Sequence, residues 1–200
     1  MMTSAQTIPL PSLSSNTWQI LSALFDYPDQ RLMDELDRIR AAANQIPEAA
    51  FRRAALTFLG YLESQNLIRL QETYTAAFDL HPDTTLNLTY HAFGNNEKRA
   101  TAMAKLQRIY HLAGWEKTNT ELPDYLPLVL EFLCFCPDLE PDHAQSLNNC
   151  LRSTKVLMKN LEKDAPAYAM LLTPLADLAH AGVKMDNRVT SSSFSKGEST

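Results

Sequence analysis

Glycine and cysteine are both scarce in this chain of 200 residues, which has five glycines and three cysteines. The cysteines, Cys134, Cys136 and Cys150, are odd in number and lack a paired spacing. They therefore predict reduced cytosolic thiols rather than a disulfide framework. The low glycine content is typical of a compact helical domain.

The signatures of common enzymes are also missing. The chain has no Gly-rich phosphate loop, no His-Glu-x-x-His and no Gly-x-Ser-x-Gly. Its five histidines have no Cys or His neighbour at metal-ligand spacing; only His91, beside Tyr90, stands out. No apolar run approaches the roughly 18 residues that span a bilayer, and the first 16 residues do not resemble a signal peptide. These absences predict a cytoplasmic protein that is not an enzyme, carries no metal or other cofactor and does not insert stably into a membrane.

The negative net charge indicates which classes of partner the protein could bind. The formal net charge is −5, with 45% apolar and 20% charged residues, which is a globular composition. A negative balance argues against a general nucleic-acid or anionic membrane surface. It is compatible with a basic partner.

Prolines and capping residues divide the chain into about eight predicted helices with no credible sheet. Ser14 or Ser15 is expected to cap the first, Pro28 to begin the second, and Asn96 and Gly114 to bound a later one. One long helix is expected over residues 141–162, and a last one is kinked at Pro174. We therefore predict an all-α, single-domain bundle over residues 14–182, with disordered tails at 1–13 and 183–200.

Residues 81–96 are the least helical part of this pattern. Leu86, Leu88 and Tyr90 alternate with polar residues, as they would in a strand, but no second strand is available to pair with them. We expect an extended loop or a short irregular helix whose apolar side chains pack against the domain.

Two segments carry paired carboxylates at helical spacing. Asp124 and Glu131 are seven residues apart, and Glu72 and Asp79 repeat that spacing, so each pair is expected on one exposed helix face. Pro127 leaves two possibilities: an irregular first turn, which we favour, or a regular helix that begins at Pro127. The irregular turn would leave backbone polar groups near Glu121 and Asp124 free for a partner.

Three sequence blocks resemble a known family. They are residues 70–79, residues 86–100 with the motif Leu-Asn-Leu-Thr-Tyr-His and Gly94, and residues 121–133 with Glu-Leu-Pro-Asp-Tyr. In order and spacing they resemble the delta subunit, or NarJ, family of respiratory nitrate reductase assembly chaperones. The resemblance covers residues 18–135; residues 135–200 show no matching motif.

The resemblance implies an all-helical cytoplasmic chaperone. Such proteins bind the basic, partly apolar N-terminal segment of the catalytic (alpha) subunit, assist insertion of the molybdenum cofactor before membrane assembly, and then release the enzyme. Contact with the molybdenum cofactor machinery is left open. The alternative is a permanent, structural helical subunit of a redox enzyme complex.

The residues and the resemblance together predict a peptide-binding groove. Carboxylates would pair with Arg or Lys of the peptide, and apolar side chains would supply contact area. Whether Tyr74 points inward or lines the groove stays open. We expect the acidic faces of 72–79 and 121–131 to lie near each other, with residues 81–96 alongside. The predicted groove residues are Glu72, Tyr74, Asp79, His91, Glu121, Asp124, Tyr125, Leu128 and Glu131.

Overall fold

The structure, a computed structural model, describes residues 10–116 and 120–184, the last three of these by backbone alone. Within those ranges the regular elements are helices and no strand occurs, which confirms the predicted all-α fold. A short 3-10 helix, Pro82–Thr84, joins the α-helices. These are α1 (Ser15–Phe25), α2 (Gln30–Asp34), α3 (Leu36–Asn44), α4 (Ala49–Glu63), α5 (Leu67–Phe78), α6 (Leu88–Phe93), α7 (Glu97–Leu112), α8 (Leu126–Phe135), α9 (Pro141–Arg152), α10 (Thr154–Leu161) and α11 (Pro166–Lys184).

The two predicted tails fall mainly on residues 1–9 and 185–200, which lie outside the described residues. Inside the first predicted tail, Leu10 and Leu13 are half-buried and pack against the core.

Several helix ends follow the predicted capping residues. The Ser14 hydroxyl accepts a hydrogen bond from the Thr17 N–H at 3.2 Å, and the Asn96 side chain accepts one from the Lys98 N–H at 2.8 Å. Gly114 has φ +67°, a left-handed conformation that a side chain disfavours, and it ends α7. These caps are local, so the sequence alone reveals them.

Other boundaries differ from the prediction. The second helix begins at Gln30 because the Asp29 carboxylate, not Pro28, caps it by accepting from the Leu32 N–H at 2.8 Å. The helix expected over 141–162 is interrupted at Ser153, whose N–H donates to the Cys150 carbonyl at 3.0 Å, three residues back. Such a three-residue bond tightens the turn and separates α9 from α10.

Tyr168 of α11 is the centre of an aromatic cluster in the core. Its ring centroid lies 4.9 Å from those of Phe58 in α4 and Phe78 in α5, 6.0 Å from Tyr74 in α5 and 6.3 Å from Phe25 in α1. Helices α1, α4, α5 and α11 therefore meet at one side chain.

Helix α8 crosses the middle of the domain and packs closely on α1, where the Ser22 hydroxyl donates to the Pro127 carbonyl at 2.9 Å. Seven of its ten residues are buried. A helix that is apolar on most sides belongs inside a domain, so α8 is not the two-sided amphipathic helix that its spacing predicted. Glu131 is its exposed carboxylate.

We predict that Tyr168→Ala lowers the free energy of unfolding by about 3–5 kcal/mol, because it leaves a cavity where four helices meet. Tyr168→Phe keeps the ring and is the matched control, with a change under about 1 kcal/mol. Urea denaturation followed by circular dichroism measures both. Equal losses in the two variants would show that the hydroxyl, not the ring, stabilises the cluster.

Candidate functional site

The segment before α6 pairs with the segment before α8. The Leu88 N–H donates to the Asp124 carbonyl at 3.0 Å, and the Leu126 N–H donates to the Leu86 carbonyl at 2.9 Å. This forms an isolated antiparallel bridge between Asn87 and Tyr125. Residues 81–96 thus contain both predicted forms, an extended stretch and a short helix. Leu86 and Leu88 pack inward as expected, whereas Phe93 is 37% exposed.

The structure also shows where the helix that contains Pro127 begins. Helix α8 begins at Leu126, so Pro127 lies in the first turn, where its missing N–H costs no helical hydrogen bond. The carbonyl of Pro123 accepts from the Tyr110 hydroxyl at 2.7 Å, and that of Asp124 is taken by Leu88. Contrary to the expectation, the carbonyls of Pro123 and Asp124 are therefore not free for a partner.

The Asp124 side chain is buried, at 0% exposure. Its Oδ2 accepts from the Thr89 N–H at 3.1 Å and from the Thr89 hydroxyl, and lies 3.8 Å from Arg99 Nη2. Oδ1 has no hydrogen-bond partner within the described residues. Asp124 precedes α8, so it does not share an exposed helix face with Glu131, contrary to the seven-residue spacing. Its carboxylate fastens α6 and α7 to the start of α8.

Tyr74 and Tyr125 join the two segments that carry the paired carboxylates. Their hydroxyl oxygens are 2.9 Å apart, and Tyr74 also donates to the Phe25 carbonyl at 3.1 Å, so Tyr125 is the donor between them. Tyr74 points inward, at 3% exposure, which answers the question left open above. Tyr125 is half-buried, and Tyr27, at 44% exposure, packs edge-on against Tyr74 with centroids 5.3 Å apart.

Carboxylates from three parts of the chain surround the Tyr125 hydroxyl. Burial raises the pKa of Tyr125 to about 12, and the negative charges of Asp26, Glu121 and Asp79 add to the rise. Partial burial and the charge of Asp26 likewise raise the pKa of Glu131. We call this set the acidic surface: the four carboxylates Asp26, Asp79, Glu121 and Glu131, with Tyr27, Leu80, Leu122 and Tyr125, of which all but Tyr125 are exposed.

The remaining predicted residues lie elsewhere. Glu72 is exposed and pairs with Arg69 at 3.2 Å. Leu128 is 2% exposed and belongs to the core. His91 is half-buried, its Nε2 donates to the Thr85 carbonyl at 2.7 Å, and burial lowers its pKa. His91 thus holds the 85–91 segment in shape.

Asp26 and Tyr27 were not among the predicted site residues. They end α1 and reach the acidic surface because α1 packs on α8. A sequence signal did exist: the dipeptide Asp-Tyr occurs twice, at 26–27 and at 124–125, each followed within two residues by a proline. Only the packing of the helices shows that the two pairs meet.

Neither a metal site nor a membrane-spanning helix was found in the part of the chain that the structure describes. In that part, no three His, Cys, Asp or Glu side chains are grouped so that they could hold a metal ion. Among the described helices, none combines the length and apolar character that crossing a bilayer requires.

Comparison with known proteins places this arrangement in a family. Residues 44–172 match the family described as nitrate reductase delta subunit. The chain belongs to this family. It is 34% identical over 170 residues to a Bacillus subtilis protein named as a nitrate reductase molybdenum cofactor assembly chaperone, NarJ, covering 84% of this chain and 91% of that protein. The corresponding NarJ chaperone of Escherichia coli K12 is 30% identical, over 84% of this chain and 71% of the relative.

A solved structure supports the fold independently. The crystal structure of an Archaeoglobus fulgidus protein assigned to redox enzyme maturation superposes with a TM-score of 0.58 at 20% sequence identity. The match covers 88% of this chain and 95% of that protein. The helical architecture is therefore shared with that protein.

We predict that Asp124→Asn lowers the free energy of unfolding by about 3 kcal/mol, because Arg99 loses its buried counter-charge. Asp79→Asn is the matched control on an exposed carboxylate, and we expect a change within about 0.5 kcal/mol. Chemical denaturation measures both. A harmless Asp124→Asn would show that the buried carboxylate does not fasten α6 and α7 to α8.

The raised pKa of Glu131 gives a pH-dependent prediction. A carboxyl group whose folded pKa lies above its ordinary 4.5 opposes folding once it ionises, so its favourable contribution is present below that value and is lost as the pH rises. Glu131→Gln should therefore stabilise the protein at pH 7, by less than about 1 kcal/mol, and leave it unchanged near pH 4. Melting curves at both pH values test this, with Glu72→Gln as the control, which should not stabilise. An equal effect of Glu131→Gln at both pH values would contradict it.

Proposed function

We propose that this protein is an assembly chaperone that binds the N-terminal segment of the nitrate reductase catalytic (alpha) subunit. In this role it acts in the cytoplasm, assists insertion of the molybdenum cofactor before membrane assembly, and performs no catalysis. The names of its relatives support the chaperone role and the nitrate reductase as its client. The binding of one particular segment rests on the acidic surface.

The observation that carries this proposal is the gathering of three carboxylates near Tyr125, with Glu131 beside one of them, Asp26. Asp26 and Glu131 act on each other, and Asp26, Asp79 and Glu121 all act on the Tyr125 hydroxyl, so negative charge is concentrated there. Arg or Lys side chains of a peptide would relieve that repulsion. Attraction of this kind speeds capture, and its effect falls as salt is added.

Apolar groups beside the carboxylates supply the second requirement. Tyr27 is 44% exposed, Leu122 42% and Leu80 65%, so three large apolar side chains face solvent next to the acidic groups. A basic, partly apolar helix could lay its apolar face on them and point its cations at the carboxylates. Apolar burial then sets the residence time, because most affinity differences appear in the dissociation rate.

The buried members of the predicted groove act by positioning. Tyr74 holds the Tyr125 hydroxyl at 2.9 Å, and Asp124 fastens the backbone just before it. Leu128 packs in the core of α8, and His91 holds the 85–91 segment through its bond to the Thr85 carbonyl. In this account these four residues shape the acidic surface without touching the peptide.

Isothermal titration with a peptide from the N-terminus of the catalytic subunit tests the proposal. We predict that the triple variant Asp26→Asn, Asp79→Asn, Glu131→Gln weakens binding by about tenfold or more at low salt, since each exposed charge pair contributes roughly 0.2–1 kcal/mol. The matched control Asp138→Asn, Asp164→Asn, Glu162→Gln removes the same exposed charge elsewhere and should change affinity less than twofold.

Two results would contradict the proposal. Equal losses of affinity in both triple variants would mean that binding depends on net charge alone. If the unmodified protein does not bind the peptide at tens of micromolar, it does not recognise this segment. Recovery of the protein at equal stoichiometry in the finished membrane enzyme would favour the alternative, a permanent helical subunit.

A further inference from the structure

A second recess lies away from the acidic surface, between α6, α7 and α9. It encloses about 160 Å³, with apolar walls from Phe93, Ala102 and Leu106 and polar groups from Ser146 and Asn149. A cavity of about 150 Å³ in another protein accommodates benzene, so this recess is large enough for one phenyl or leucyl side chain. Phe93 is partly exposed at its edge.

A row of three cations on α7 extends from the wall of this recess. Lys98, Lys105 and Arg108 follow each other at steps of seven and three on α7, so they share one helix face, and all three are exposed. Lys105 is itself part of the wall. None of the three forms an ion pair within the described ranges, and Glu97 is the single carboxylate on α7.

We propose that this recess and its cations bind an acidic protein segment that inserts one apolar side chain. We call it the basic pocket, defined by Phe93, Ala102, Leu106 and the cations Lys98, Lys105 and Arg108. Charge complementarity selects the occupant: the chain as a whole carries −5, so a row of unpaired cations is a local feature that attracts an acidic partner. The inference goes beyond the proposed function, because it assigns a second surface of opposite sign.

Because the basic pocket is concave, it suits a peptide side chain better than a membrane surface. Its volume admits a single side chain, whereas a membrane surface is met by protruding apolar groups beside the cations. The Ser146 hydroxyl donates to the Asp142 carbonyl at 2.7 Å, and the Asn149 side-chain oxygen accepts from Gln145 at 2.9 Å. A peptide backbone that crosses the mouth could therefore donate to the Ser146 oxygen and accept from the Asn149 amide N–H. Each bound segment would thus be held by one anchor, a few backbone contacts and two or three charge pairs.

Fluorescence anisotropy with a labelled acidic peptide of about twelve residues tests the proposal. The probe carries one central phenylalanine, and its matched version carries serine there. We expect the phenylalanine peptide to bind about tenfold tighter or more, since its phenyl group removes a large apolar area from water. The triple variant Lys98→Gln, Lys105→Gln, Arg108→Gln should weaken binding by about tenfold at low salt, and the control Arg53→Gln, Lys159→Gln, Lys163→Gln less than twofold.

A second variant separates the pocket from its charges. Ala102→Leu fills the recess with a good helix former, so we expect it to fold with an unchanged or higher melting temperature and to abolish the difference between the two peptides. Three results would overturn the proposal: no binding of the phenylalanine peptide at millimolar concentration, equal losses in the two triple variants, or binding to anionic phosphatidylserine vesicles without binding to the peptide. Binding of the basic client peptide at the acidic surface should be unchanged in the α7 triple variant, so failure of one proposal is distinguishable from failure of the other.

Discussion

The structure depends on the pairing between the backbone before α6 and the backbone before α8. Two hydrogen bonds, from Leu88 to Asp124 and from Leu126 to Leu86, fix the register. The buried Asp124 carboxylate adds a second layer, because it accepts from Thr89 and faces Arg99 of α7. Without this junction, Tyr125 would not stand beside Tyr74, and the acidic surface would lose its centre.

The junction also lies between the two surfaces discussed above. Thr89 uses its N–H and hydroxyl to hold Asp124, and the same residue forms part of the wall of the basic pocket. Tyr125, one residue after Asp124, belongs to the acidic surface. The two surfaces thus share one rigid support. Partial burial and the charge of Asp26 raise the pKa of Glu131, so its ionised form opposes folding and the buried core must offset that cost.

The sequence predicted the features that depend on local interactions and missed most of those that depend on contacts between distant residues. The caps at Ser14 and Asn96 and the stop at Gly114 were predictable, because each acts within a few residues. The segments 72–79 and 121–131 do meet, at the 2.9 Å contact between Tyr74 and Tyr125, but the predicted pairing of their acidic faces is not complete, because Glu72 pairs with Arg69 and Asp124 is buried. The burial of Asp124 was not predictable, since its partner Thr89 is 35 residues away.

Two further misses have the same kind of cause. Asp26 reaches the acidic surface only through the packing of α1 on α8, which no periodicity encodes. At the break between α9 and α10, Ser153 keeps helical dihedral angles, φ −63° and ψ −20°. Any residue can adopt these angles, so the break needs no glycine or proline that would mark it in the sequence. Apolar spacing continues through such a turn, so the pattern predicted one long helix.

The central claim is that the acidic surface receives the basic N-terminal segment of the client. The most direct test is an NMR titration of the isotope-labelled protein with that peptide, followed through the backbone amide shifts. The account predicts the largest shift changes at residues 26–27, 79–80, 121–125 and 131, with small changes along α7. Changes concentrated on α7 or on α9–α11, with residues 121–125 unaffected, would contradict it.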